Sequence, residues 1–162
     1  KFFQNLKDVV IFTFSTSSSS ASIPFTLKAT EEKYGIDKSI GTFTVPLGAT
    51  INMDGTAIMQ GCATFFLASL YGIDLGINEI VTIVITATIA SIGTAGIPSA
   101  GIIMLTVIFT QIGIPLEGIT LLLGVDRLLD MMRTSVNVSG DICISCVIAS
   151  SENKINESVF NS

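Results

Sequence analysis

Three long uncharged stretches constrain the fold of this chain more than any other feature. They cover residues 9–27, 55–73 and 80–116. About 20 apolar residues in a helix span the hydrocarbon core of a bilayer, so each stretch reaches that length and the third has nearly twice as much. With 49% hydrophobic and only 13% charged residues among 162, the sequence predicts an all-α, multi-pass membrane protein.

Two of these stretches are interrupted by small and polar residues. The first contains the serine-rich segment 15–20 followed by Pro24, and the third contains the glycine-rich segment 93–101 with Pro98. Irregular backbone at membrane depth occurs only where protein or a water-filled cavity shields it from lipid. Each interruption therefore predicts a re-entrant helical hairpin with its tip inside the protein. The alternative for segment 15–20 is a serine-rich linker.

Asp54 is the only charge in an apolar segment that runs from Ile40 towards Leu70, and it is followed by Gly55. A lone carboxylate in a membrane costs a few kcal/mol unless it is paired or binds a cation. The glycine permits local unwinding, which would direct backbone carbonyls at the same ion. This pattern predicts a transmembrane helix with an unwound Asn-Met-Asp-Gly segment.

A polar stripe follows one face of the last apolar segment, residues 119–148. Its members recur at steps of three or four residues and fall within an arc of roughly 80° on a helix. They are Asp126, Asp130, Arg133, Asn137 and Asp141. The periodicity predicts that the stripe is buried against protein. It would alternatively be a set of structural ion pairs, but three carboxylates against one guanidinium leave anionic sites that need cations.

Other function classes are disfavoured. The spacing of Gly93, Gly96 and Gly101 is not G-x-G-x-x-G, which argues against a soluble nucleotide-binding enzyme. A net charge of -5 and the lack of histidine argue against nucleic-acid binding and against histidine-ligated metal. Cys143 and Cys146 have no second pair to complete a zinc site, although a metal or redox role stays open as a minor alternative. We expect no enzyme activity and no cofactor.

The two halves of the chain repeat one arrangement. The same number of residues separates Pro24 from Asn52 as separates Pro98 from Asp126. Each half combines a hairpin with a helix that bears polar residues. Such duplicated units often have opposite membrane orientations, which predicts an inverted repeat with both tips near the midplane.

Four motifs closely resemble those of the dicarboxylate/amino acid:cation symporter family, the glutamate and aspartate transporters. They are the serines 17–20 before Pro24, the segment Asn-Met-Asp-Gly-Thr at 52–56, the segment Gly-Thr-Ala-Gly-Ile-Pro at 93–98, and residues 130–141. The motifs stand in family order and at family spacing. The resemblance covers the whole chain but only the C-terminal part of such a transporter.

The resemblance implies the transport domain of an elevator-type carrier. The implied segments are hairpin 1 at about 1–32, transmembrane helix 7 at 39–71 with a break at 52–55, hairpin 2 at 77–112, transmembrane helix 8 at 117–150 and a polar tail at 151–162. The N-terminal scaffold region, which forms a homotrimer in this family, is expected to be absent. The expected location is the cell membrane, either plasma or inner.

The resemblance also implies a substrate site. Arg133 would pair bidentately with the substrate side-chain carboxylate, a geometry that lysine cannot reproduce, and Asp130 would accept its ammonium group. Hairpin 2 would close over the ligand as the gate. The remaining implied contacts are Ser18, Ser19, Thr56, Thr134 and Asn137, with backbone groups of Ile97 and Gly101.

Sodium ions are the implied coupling ions. All-oxygen ligation suits a hard cation, and gate carbonyls that bind sodium would couple ion occupancy to closure. One site would comprise Asp141, Asn52 and the carbonyls of Gly48 and Asn137. A second would comprise the carbonyls of Thr50, Ser91, Ile92 and Thr94. A third would lie around Asp54 and Asn52, completed by residues of other helices.

The sequence therefore predicts a symporter that takes up aspartate or glutamate with sodium. Carriers of C4-dicarboxylates, neutral amino acids or cystine, and proton coupling, are the alternatives within the same fold. Dicarboxylates lack an ammonium group for Asp130 and neutral substrates leave Arg133 unpaired, so the two residues together favour an acidic amino acid.

Overall fold

The chain folds entirely into helices and connecting turns in the computed structural model, which describes residues 1–161. Those residues contain no β-strand, only an isolated antiparallel bridge between Ile36 and Ile155. The α-helices are α1 (Phe2–Thr16), α2 (Ser19–Glu32), α3 (Lys38–Ile51), α4 (Asp54–Leu70), α5 (Ile77–Ile92), α6 (Ala100–Ile112), α7 (Ile119–Leu123), α8 (Asp126–Ser151) and α9 (Glu157–Phe160), and a 3-10 turn at Leu116–Gly118 precedes α7.

The serine-rich segment forms the junction between α1 and α2, which pack on each other. Ser17 has a left-handed backbone conformation with φ of 53°, and this conformation ends α1. Ser18 then caps α2, because its hydroxyl oxygen accepts a hydrogen bond from the amide of Ala21 at 3.1 Å. Two adjacent serines therefore stop one helix and start the next. We call α1, α2 and this junction the first hairpin.

The glycine-rich segment separates α5 from α6 in the same manner. Residues 93–99 are not helical, and Ser99, the residue before α6, has φ of 61°. We call α5, this tip and α6 the second hairpin.

The segment around Asp54 is unwound, but over fewer residues than expected. Only Asn52 and Met53 leave the helical conformation, whereas Asp54 and Gly55 already belong to α4. The first backbone N–H groups of a helix have no intrahelical acceptor. The amide of Gly55 finds one on α8, where Asn137 Oδ1 accepts it at 2.7 Å. This contact lets α4 begin two residues earlier than the predicted break at 52–55.

Helix α8 is the element around which the others assemble, and it contacts α1, α2, α3 and α4. Two apolar clusters hold the assembly together. The first joins α4, α5, α6 and α7 around Leu67, Ile83, Leu105, Ile108 and Phe109. The second joins α1, α2 and α8 around Leu6, Val9, Tyr34, Val138 and Ile142.

The distribution of polarity is the reverse of that of an ordinary globular domain. Many serines, threonines and charged residues are buried, whereas large apolar side chains such as Phe3, Ile77 and Ile103 are more than half exposed. Among the described residues, no single helix is both long enough and apolar enough to cross a membrane.

The C-terminal tail docks on the loop between α2 and α3. The amide of Asn156 donates to Gly35 O at 2.7 Å, and the amide of Asp37 donates to Lys154 O at 3.0 Å. Asp37 also caps α3 by accepting from Ser39, whose hydroxyl and amide hold the pKa of the Asp37 carboxyl below its usual value. The loop and the tail therefore fix each other at one end of α8.

Candidate functional site

The polar stripe of α8 is buried along its whole length, as its periodicity predicted. Asp126, Asp130, Arg133, Asn137 and Asp141 are each no more than 6% exposed. Burying charged groups is expensive unless partners compensate for the lost hydration. The partners of each residue therefore define what the stripe does.

A small cavity lies beside the middle of the stripe, where the two hairpin tips meet the α3–α4 break. Its volume is about 10 Å³. The cavity is lined by Ser17, Ser19, Met53, Thr56, Thr94, Ala95, Gly96, Ile97, Asp130, Arg133, Thr134 and Asn137. Seven of the nine residues expected in the substrate site are in this lining.

The other two expected substrate residues contact the lining. Ser18 Oγ donates to Gly96 O at 2.7 Å, which joins the first hairpin to the tip of the second. Gly101 lies against Arg133 so closely that a Cβ atom at position 101 would overlap the guanidinium. The structure thus brings all nine residues into one region.

Arg133 is only partly satisfied within this region. Its Nη2 forms an ion pair with Asp130 Oδ1 on the preceding turn of α8. Its Nη1 is buried and has no hydrogen-bond partner among the described residues. An unsatisfied buried charged donor is costly, so this guanidinium is prepared to bind an added acceptor.

Asp130 uses both of its oxygens. Oδ1 pairs with Arg133, and Oδ2 accepts the backbone amide of Ser99 at 2.8 Å from the tip of the second hairpin. The carboxylate therefore links the guanidinium to the tip that covers the cavity.

Asn137 connects the cavity to the α3–α4 break. Its Oδ1 accepts from Gly55 N, and its Nδ2 lies 3.3 Å from Thr56 Oγ1 and 3.2 Å from Met53 Sδ. Its backbone carbonyl faces the other way, towards Asn52 Nδ2 at 3.4 Å. One residue thus contributes its side chain to the cavity and its carbonyl to the neighbouring polar group.

That neighbouring group contains the residues of the first expected sodium site. Asn52 Nδ2 donates to Asp141 Oδ1 at 2.8 Å, and Gly48 lies so close to Asp141 that a Cβ atom would overlap the carboxylate. An amide donor between a carboxylate and a carbonyl occupies the place that a cation would favour. Oxygens of Asp141 and Asn137 therefore converge on the side-chain amide of Asn52, while the carbonyl of Gly48 accepts the backbone amide of Asn52 at 2.8 Å.

The second and third expected sodium sites are less assembled. Thr94 N donates to Ser91 O at 3.0 Å, so one lone pair of that carbonyl is already used, while Thr50 and Ile92 are exposed. The described residues show no hydrogen bond that joins Thr50 to the 91–94 segment.

Asp54, the centre of the third expected site, is exposed, although its Oδ2 lies about 3.1 Å from where a Cβ on Gly140 would stand. No cluster of three or more acidic, cysteine or histidine side chains suited to a metal occurs among the described residues.

Some lining residues were not expected. Ser17 is fully buried, and its hydroxyl has no partner among the described residues. Its place beside Ser18 and Ser19 in the serine run is the sequence signal that could have indicated it. Met53 lies in the segment 52–56 and Gly96 in the segment 93–98, both singled out by the sequence, but their contacts in the lining depend on packing across the molecule.

These features define a helical protein in which two hairpin tips and a broken helix enclose a buried, charge-bearing cavity. The sequence profile of the sodium:dicarboxylate symporter family matches residues 1–151. The chain belongs to this family, and the family predicted from its motifs is confirmed. The family consists of symporters, which places the chain among transporters rather than enzymes.

Individual relatives agree with this assignment. The chain is 49% identical over 140 residues to excitatory amino acid transporter 1 of Rattus norvegicus, a match that covers 86% of this chain and 26% of the relative. It is 54% identical over 125 residues to excitatory amino acid transporter 3 of Mus musculus, covering 77% and 24% respectively. It is 49% identical to excitatory amino acid transporter 2 of Homo sapiens, covering 86% and 24%. The chain thus spans about a quarter of the length of these relatives.

Proposed function

We propose that this chain forms the substrate- and ion-binding core of a secondary active transporter that takes up aspartate or glutamate together with sodium. The observation that carries the proposal is the state of Arg133, which is buried and paired with Asp130 through Nη2, while its Nη1 has no hydrogen-bond partner among the described residues. A guanidinium beside a carboxylate complements a ligand that carries a carboxylate and an ammonium group.

An acidic amino acid satisfies both groups, whereas the alternative substrates satisfy only one. A C4-dicarboxylate would place no cation near Asp130, and a neutral amino acid would leave Arg133 Nη1 without an acceptor. Leaving a buried charged group unsatisfied costs about 1–3 kcal/mol or more. The names of the relatives, excitatory amino acid transporters, support the same choice.

The second hairpin is the proposed gate. A cavity of about 10 Å³ is close to the minimum for a single water molecule and cannot contain an amino acid. Binding therefore requires one wall to move. The wall formed by residues 94–97 connects two helices through a non-helical tip, which is the part of the lining with the least helical support.

Sodium is the proposed coupling ion, with the group of Asp141, Asn52, Gly48 and Asn137 as the first site. Binding there requires Asn52 to turn its amide so that the oxygen replaces Nδ2, a rotation that exchanges a donor for an acceptor. The sites at Thr50 with 91–94 and at Asp54 belong to the same proposal. Proton coupling is the alternative, which the ion dependence of uptake distinguishes.

The location proposed is the cell membrane. Exposed isoleucine, phenylalanine and valine side chains surround a polar interior, an arrangement that suits contact with lipid or with further apolar helices. An inverted repeat, an elevator movement and a homotrimer formed through the scaffold region complete the proposal for the whole protein, following the family resemblance.

The test is competition binding with the full-length protein. Arg133→Ala is expected to lower the affinity for aspartate and glutamate at least a hundredfold, because the carboxylate loses a two-point, charge-assisted partner. Arg133→Lys keeps the charge but loses the planar fork, so it should also bind poorly. Inhibition of labelled-aspartate binding by unlabelled acidic amino acids measures the effect.

Arg127→Ala is the matched control. Arg127 lies on the same helix but is exposed, so its removal should leave competition unchanged. If Arg133→Ala still bound acidic amino acids with the affinity of the parent protein, the assignment of substrate class would be wrong.

A further inference from the structure

Asp126 is the one carboxylate of the stripe that the proposed substrate and sodium sites leave unused. It is the first residue of α8 and is 6% exposed. Its Oδ2 accepts a hydrogen bond from Ser99 Oγ at 2.6 Å. The partner of Asp126 is therefore the tip of the second hairpin.

The conformation of Ser99 indicates that this contact is specific. Ser99 occupies the N-cap position of α6, where a serine side chain usually accepts from its own helix. Here no such capping bond forms, and the backbone is left-handed with φ of 61°, which is unfavourable for a residue other than glycine. The hydroxyl and the amide of Ser99 instead both donate to α8, to Asp126 and Asp130. These two bonds compensate for the strained tip.

The hydrogen bonds that hold the tip of the second hairpin differ in whether they use residues that the proposed substrate also needs. The bond from Ser99 N to Asp130 uses a carboxylate that the proposed substrate also needs. Ser18 and Ser20 both donate to Gly96 O, so those bonds use the first hairpin, which adjoins the substrate. The bond between Ser99 and Asp126, unlike those of Ser99 with Asp130 and of Ser18 with Gly96, involves no residue of the proposed substrate or sodium sites.

We propose that Asp126 is a positioning residue that holds the second hairpin closed through the Ser99 hydroxyl, whether or not substrate is present. This inference rests on the proposed function only in taking the second hairpin as the gate. When the tip lifts, Asp126 and Ser99 separate, so the bond stabilises the closed conformation alone. Losing a hydrogen bond to a charged group should increase the open population about tenfold.

The experiment measures opening directly, without substrate. Ser17→Cys provides the probe, because Ser17 is 1% exposed and lines the cavity beneath the tip. The full-length protein in detergent, with all other cysteines replaced, is treated with a maleimide and the rate of modification is recorded. Asp126→Ala and Ser99→Ala should each raise this rate about tenfold.

A double-mutant cycle tests whether the two residues act through one bond. Ser99→Ala combined with Asp126→Ala should give the same rate as either change alone. Thr106→Ala is the control for the loss of a hydroxyl, since Thr106 lies in α6 and bonds only within it. Asp74→Asn is the control for the loss of a carboxylate, since Asp74 is exposed in the loop before α5. Neither control should alter the rate.

Parent-level modification in both single variants would overturn the proposal, and so would fully additive effects in the double variant. The rate at which labelled aspartate dissociates from Ser99→Ala without the probe cysteine gives an independent measurement: release requires the tip to open, so about tenfold faster dissociation is expected and an unchanged rate contradicts the proposal. Because the modification assay contains no substrate, it can succeed even if the competition test on Arg133 fails. The two failures are therefore distinguishable.

Discussion

Gly101 shows how a single residue sets the position of the most important charge. The hydrogen on its α-carbon faces the Arg133 guanidinium, and any side chain at position 101 would overlap Nη1 and stand about 2.7 Å from Cζ. Gln60 Nε2 also donates to Gly101 O at 3.2 Å, which limits how far this turn can retreat. The guanidinium, rather than the backbone, would have to move.

Gly101→Ala is therefore expected to displace Arg133 and to weaken aspartate binding by about tenfold or more, since the two-point pairing depends on alignment. Gly61→Ala is a suitable control, because position 61 is also helical and has open space around its α-carbon. Isothermal titration of the full-length protein would measure both. Unchanged affinity in Gly101→Ala would show that Arg133 is not fixed by this contact.

The sequence could identify charged residues but not their neighbours. Periodicity alone placed Asp130, Arg133 and Asp141 on one buried face, because a helix turns through a fixed angle per residue. The family resemblance supplied Gly101 as a backbone contact. Neither indicated that Gly101 packs against the guanidinium or that Ser99 binds Asp126, because those contacts join residues that the fold alone brings together.

At the scale of elements, one organisation occurs twice in the chain. A helix pair joined by a non-helical tip precedes two helices separated by a two-residue break, first as α1 to α4 and then as α5 to α8. From its prolines and polar segments the sequence predicted a hairpin followed by a polar helix in each half, but with a break only in the first of those helices and one continuous helix at 117–150. It did not predict the short α7, because residues 113–125 mix glycines and a proline with apolar residues, and α7 lies against α6 only in the folded protein.

The docking of the tail on the α2–α3 loop is an element-level contact that the sequence did not indicate. Gly35 has φ of +64°, and a Cβ there would overlap Asn156 O and approach Val159 Cβ to 3.1 Å. Gly35→Ala should therefore destabilise the folded protein by about 1–3 kcal/mol, through backbone strain and through separation of the tail.

Gly72→Ala separates the two contributions to that loss. Gly72 has nearly the same φ, +66°, but no atoms near its α-carbon, so alanine there costs only the backbone term. Thermal unfolding of the full-length protein in detergent should show a larger decrease in Tm for Gly35→Ala than for Gly72→Ala. Equal decreases would mean that the tail contact contributes nothing to stability.

At the scale of the whole molecule, the first proposed sodium site, formed by Asp141, Asn52, Gly48 and Asn137, adjoins the cavity. They meet at Asn137, whose side chain contacts Thr56 and Gly55 while its carbonyl faces Asn52 beside Asp141. A cation that orders this carbonyl also orders the side chain that lines the cavity. Coupling between two ligands is reciprocal, so under the proposed function sodium would change the affinity for substrate by the same factor as substrate changes the affinity for sodium.

Asp141→Asn is the change that tests this coupling. It removes the only negative charge of the first proposed sodium site but leaves the shape of the side chain. Sodium binding should therefore weaken while the cavity stays intact. We expect the sodium concentration that supports half-maximal aspartate binding to rise about tenfold or more, and aspartate affinity at low sodium to fall accordingly.

Asp74→Asn removes an exposed carboxylate and serves as the control. Aspartate titrations at a series of sodium concentrations, repeated with pH varied at constant sodium, measure the dependence. An unaltered sodium dependence in Asp141→Asn would exclude this carboxylate from the ion site, and a dependence on pH alone would favour protons as the coupling ion.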